Sequence, residues 1–97
     1  MCIRKALGIA LRVARKSRGL KQEDFSILSS RTYLSSLERG IKNPTLEKIH
    51  SLAERMEIHP LTLLTLTYLC AESKTDPTPL FEQVSKEMKS IIAVHLP

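Results

Sequence analysis

Apolar residues recur along most of this chain at intervals of three and four, the spacing of helices that each bury one face. Ile3, Leu7, Ala10, Leu11 and Ala14 form one such face, and Arg4, Lys5, Arg12, Lys16 and Arg18 lie off it. The pattern predicts a first helix over about Ile3 to Ser17, ended by Gly19, with Leu20 making the apolar contact that follows a glycine stop. A short second helix over about Gln22 to Leu28 turns Phe25 and Leu28 inward. Glu23 and Asp24 in its first turn suit the helix dipole, whereas Lys21 at its threshold opposes it unless an anion lies close by. Ser29-Ser30 breaks this helix, and Ser30 caps the next.

Residues 30–40, Ser-Arg-Thr-Tyr-Leu-Ser-Ser-Leu-Glu-Arg-Gly, read as a third helix with its own start and stop. Leu34 and Leu37 point inward with Tyr33 beside them, and Gly40 ends the helix in the left-handed region. Arg31, Thr32, Ser35, Ser36 and Arg39 are left facing outward, all hydrogen-bonding groups and none acidic. Such a face suits the reading of base edges. After the polar turn Ile41 to Pro44, Thr45 caps a fourth helix over about Leu46 to Met56, with Leu46, Ile49, Leu52 and Ala53 inward. His59-Pro60 opens a fifth, with proline at a tolerated first-turn position.

The fifth helix carries Leu61, Leu63, Leu64, Leu66, Tyr68, Leu69 and Cys70, more than one stripe can hold. Leu61, Leu64 and Tyr68 are expected to face the core, leaving Leu63 and Leu66 to be covered by the tail or by a second copy. Ser73 to Pro79 is a polar linker with two prolines. Beyond it Leu80, Phe81, Val84, Met88, Ile91, Ile92 and His95 fall at helical spacing, and an amphipathic helix of this length is marginal alone in water. The organisation predicted is residues 1–72 as a domain, 73–79 as linker and 80–97 as a helical arm for dimerisation or docking. Leu63, Leu66, Phe81, Val84 and Met88 are its expected interface.

Composition sharpens this picture. Of the 97 residues 42% are hydrophobic, but only 4% aromatic, so the core must be aliphatic and the chain all-helical. The net charge is +5, and it is unevenly placed. Residues 1–48 hold eleven lysines and arginines against four acids, a surplus of seven; residues 49–97 hold four against six. The basic half contains the third helix, which points to a polyanion, nucleic acid first. Cys2 and Cys70 lack metal-ligand spacing and suit a reducing compartment, with Cys70 expected as a small core residue. No run reaches the length of a spanning helix, and the expected location is the cytoplasm. His50, His59 and His95 show no ligand spacing, and no phosphate loop or nucleophile motif is present. Neither an enzyme, a cofactor nor a small-molecule ligand is expected.

The residues resemble a known family over roughly positions 6–69. Leu7-Gly8, Leu11-Arg12, Arg15, Gly19-Leu20, Gln22-Glu23-Asp24-Phe25, the whole run Ser30 to Gly40, Asn43-Pro44-Thr45-Leu46 and Leu52-Ala53 are similar to the Cro/repressor-type helix-turn-helix proteins, also called the xenobiotic-response-element type. The resemblance implies a five-helix, lambda-repressor-like domain that places its third helix in the major groove of double-stranded DNA. By position, Arg31, Thr32, Ser35 and Ser36 correspond to base-reading residues. Lys21 is expected beside a phosphate on the dipole argument above, and Gln22, Arg39, Lys42 and Asn43 correspond to backbone contacts. Arg15 and Glu38 correspond to a structural ion pair joining the first and third helices. One departure stands out: only Ser26-Ile27-Leu28-Ser29 separate Phe25 from Ser30, about two residues fewer than usual, so the second helix must be clipped or its turn tightened. The implied role is a small dimeric repressor or controller on a palindromic operator. The rival is an antitoxin-like module that binds a protein partner through its last helix and regulates its own operon.

Overall fold

In a computed structural model of the chain, which describes residues 1–26 and 30–95, the described residues are helical and include no strand. The elements are α1 (Ile3–Ser17), a single 3-10 turn η1 (Gln22–Phe25), α2 (Arg31–Glu38), α3 (Leu46–Arg55), α4 (Pro60–Ala71) and α5 (Thr78–His95). Of the expected second helix the described residues show the 3-10 turn η1; Ile27, Leu28 and Ser29, and with them the inward placement of Leu28 and the expected clipping, lie outside the described residues.

Local chemistry accounts for the helix ends. Ser30 Oγ accepts from the Tyr33 N–H at 3.1 Å, Thr45 Oγ1 from the Lys48 N–H at 3.0 Å and His59 Nδ1 from the Leu61 N–H at 3.0 Å, each satisfying a donor the helix cannot. Gly40, at φ 72°, closes α2: its N–H donates to Leu37 O, and the Ile41 N–H donates to Ser36 O. That pair of reversed bonds needs the left-handed conformation glycine adopts without strain.

The core is aliphatic around one aromatic ring. Leu7, Ala10, Leu11 and Ala14 of α1 meet Phe25, Leu34, Leu37, Ile49, Leu52, Met56 and Leu63. α1 packs on both α4 and α2, α2 also meets η1, and α3 meets α4. Leu46, expected inward, is 73% exposed, because the first turn of α3 projects past the neighbours that cover its later turns. Ile3 is likewise exposed at the start of α1, and Met56 fills the core instead.

The rotation of α4 differs from expectation. Leu63 is fully buried, whereas Leu61 is 63% and Tyr68 50% exposed. The inward row runs through Leu63, Leu66 and Thr67. Thr67 tolerates burial because its hydroxyl donates to Leu63 O at 2.8 Å, satisfying its polar atom within the helix. Leu63 is therefore core, not interface, and Leu64 and Leu66 are half-buried against it. Cys70 is half-buried beside an apolar groove shared with Ile9, Val13 and Leu66.

Past α4, Asp76 Oδ1 accepts from the Thr78 N–H at 3.0 Å, a bond that holds this carboxyl below its usual range. It starts α5 two residues earlier than the apolar pattern indicated. No residue of α5 is buried; Phe81, Val84, Met88, Ile91 and Ile92 are all exposed. Within the chain, then, α5 does not cover the leucines of α4.

Candidate nucleic-acid interface

The exposed side of α2 is set by how firmly its other side is held. At the helix's end, an added Cβ on Gly8 would stand 2.6 Å from Glu38 O and 2.7 Å from Leu37 O, so α1 and α2 touch backbone to backbone. Arg15 then reaches across: Nε lies 2.6 Å from Glu38 Oε2 and Nη2 3.0 Å from Oε1. Its Nη1 donates to Leu20 O at 2.9 Å. The two side chains are only 10% and 4% exposed, and the fork-to-carboxylate geometry makes the pair strong and directional. The hydrogen bond that Arg15 donates to Glu38 raises the proton affinity of Arg15 above the ordinary arginine value. Gln22 Nε2 adds a third donor to the same carboxylate at 3.1 Å, tying η1 into the joint.

With that side fixed, Arg31, Thr32 and Arg39 are exposed and Ser35 is half-exposed. Ser36 does not join them. Expected to face outward, it is only 7% exposed, because it shares one side of the helix with Tyr33 and Gly40, three before it and four after it. Both of those are turned inward or half-buried. The outward face is therefore narrower than expected and still free of acids.

Around it the other expected residues take separate places. Lys21, Lys42 and Asn43 are exposed; the Lys21 N–H donates to Asp24 Oδ2 at 2.7 Å. Arg31 lies 3.7 Å from Glu23, an exposed pair of the sort that contributes little and is easily exchanged for another partner. Lys42 stands over the Tyr33 ring at 5.5 Å, and Lys48 over the same ring at 5.7 Å. Tyr33, in the first turn of α2, thus gathers two lysines beside it. Lys48 went unnoticed in the sequence; its signal was a lysine in the first turn of α3, where a cation opposes the helix dipole.

A polar cleft lined by Arg12, Arg15, Gln22, Ser35, Glu38 and Arg39 opens between α1, η1 and α2. Among the described residues no His, Cys, Asp and Glu cluster suited to a metal occurs, and no helix is long and apolar enough to cross a membrane.

Residues 11–63 match the Helix-turn-helix family. This chain belongs to that family, in its xenobiotic-response-element type. It is 39% identical over 69 residues to the HTH-type transcriptional regulator y4dJ of Sinorhizobium fredii (strain NBRC 101917 / NGR234), covering 69% of this chain and 90% of the relative. Its fold is that of the clp gene regulator ClgR from Corynebacterium glutamicum, with a TM-score of 0.67, 26% identity and coverage of 100% and 98% of the two chains. Family and fold place the helix-turn-helix chain among DNA-binding transcription regulators rather than enzymes.

Proposed function

We propose that this helix-turn-helix protein is a sequence-specific regulator, a small repressor or controller, that reads a palindromic operator as a homodimer. The observation that carries this reading is the acid-free outer face of α2, with Arg31, Thr32 and Ser35 exposed or half-exposed at its centre. Arg31 offers two donors to a guanine edge, and Thr32 and Ser35 suit thymine methyls or polar edges. Lys21, Gln22, Arg39, Lys42 and Asn43 ring that face as partners for the sugar-phosphate backbone. Gln22 keeps a second amide hydrogen for a phosphate while the first holds Glu38.

The division between reading and holding has a direct test. Arg31→Ala should cost about 1–3 kcal/mol of discrimination at one base pair, whereas Lys42→Ala should weaken all duplexes alike and flatten the salt dependence. Binding-site selection followed by anisotropy titrations on selected and scrambled duplexes measures both. Equal losses on both duplexes for the two variants would sink the assignment.

Dimerisation is proposed through α5, because a free helix of this kind gains most of its stability from burying its apolar stripe. Phe81, Val84 and Met88, continued by Ile91 and Ile92, form the stripe; Leu66 belongs to the apolar groove beside α1, and Leu63 drops out because the core already holds it. Met88→Glu combined with Ile91→Glu should yield a monomer of 11.0 kDa by light scattering, with the melting temperature of residues 1–72 unchanged. A wild-type chain that is monomeric both free and on DNA would rule the dimer out. The same exposed stripe also supports the antitoxin-like alternative, in which α5 binds a different protein; a monomeric wild type that still binds DNA would favour it.

A further inference from the structure

The polar cleft beside α2, of about 250 Å³, has a charge balance that its position alone does not explain. Three arginines and one glutamate line it. Arg15 and Glu38 neutralise each other through two short bonds, and Gln22 occupies a further site on the carboxylate, so Glu38 presents little negative potential to the cleft. Arg12 and Arg39 are left over. Arg12, from α1, forms no ion pair among the described residues, and Arg39 donates only to the neutral Ser35 carbonyl, at 3.4 Å. Two uncompensated guanidiniums lining one cleft repel each other, and an anion between them converts that repulsion into two attractions. The guanidinium's planar set of donors fits phosphate oxygens in particular.

We propose that this cleft seats one backbone phosphodiester of the DNA, shared by Arg12 and Arg39, so that α1 takes part in binding from outside the helix-turn-helix itself. The inference rests on the DNA-reading function proposed above. It makes Arg12 a positioning residue, one that fixes how far α2 enters the groove without touching a base.

The test uses the full chain and a labelled duplex that the wild-type protein selects from a random library, with affinity followed against salt. Arg12→Gln together with Arg39→Gln should reduce the magnitude of the log–log salt slope by about one per protomer, the signature of a single lost phosphate contact in each half-site. Arg12→Lys should retain the slope, and the melting temperature of both variants should equal that of the wild type, since Arg12 is exposed. Because the two arginines share one phosphate, neither Arg12→Gln nor Arg39→Gln alone should lose that full amount, since the remaining arginine still holds the phosphate while the affinity falls. Wild-type affinity in Arg12→Gln overturns the proposal, as does a loss of about two per protomer in the double variant, which would mean two separate phosphates. Competition by inorganic phosphate beyond that of chloride at matched ionic strength would assign the cleft to a free anion instead. A wild-type chain that selects no duplex defeats the DNA-reading function itself; selection with an unchanged Arg12→Gln affinity defeats only the shared phosphate.

Discussion

Glu38→Ala is expected to destabilise the domain by about 3–5 kcal/mol, the cost of stranding a buried guanidinium. Arg15 is almost enclosed, and without the carboxylate it keeps only the Leu20 carbonyl as a partner. Gln22 loses its anchor in the same step. For a domain this small the loss corresponds to a fall in melting temperature of more than about 12 °C. Glu38→Gln, which keeps the shape and one acceptor, should lose clearly less. Thermal unfolding by circular dichroism decides the matter: a change below about 1 kcal/mol for Glu38→Ala would mean that the pair is screened like one on the surface.

Gly8→Ala should also destabilise the domain, by a smaller margin, although it adds only a single methyl group. The new carbon would meet two backbone carbonyl oxygens below 3 Å, and neither can rotate away as a side-chain tip would. Overpacking of this kind costs about 1–3 kcal/mol, occasionally more, and alanine's better helix propensity returns only about 1 kcal/mol of it. Relief requires α2 to move off α1, so DNA affinity should fall even at temperatures where the variant stays folded. Anisotropy titrations beside a melting curve separate these effects. A variant that melts and binds as the wild type does would show that the two helices part at no cost.

Where single residues decide structure, the sequence was legible. Ser30, Thr45 and His59 cap as their positions foretold, and α1 has the predicted limits, because caps and glycine stops act over one turn. The Arg15–Glu38 pair followed from the family resemblance. Rotation about a helix axis was harder to read. In α4, leucines on every side removed the usual contrast between faces, and Thr67 disguised the buried row by satisfying its hydroxyl within the helix. Ser36 misled for a related reason: a serine looks outward-facing by composition, yet it shares a side with Tyr33 and Gly40. Gly8 could be quoted as part of a motif, but only the distance between α1 and α2 shows why a glycine stands there. The polar cleft joins α1, η1 and α2, and no local pattern in any one of them announces it.

The joint between α1 and α2 also bears on how such chains can diverge. α2 is held at its far end, where Glu38 and Gly40 meet Gly8, Arg15 and Lys5 of α1. The register of α1 against Glu38 can therefore change only as a unit, both faces of the joint together.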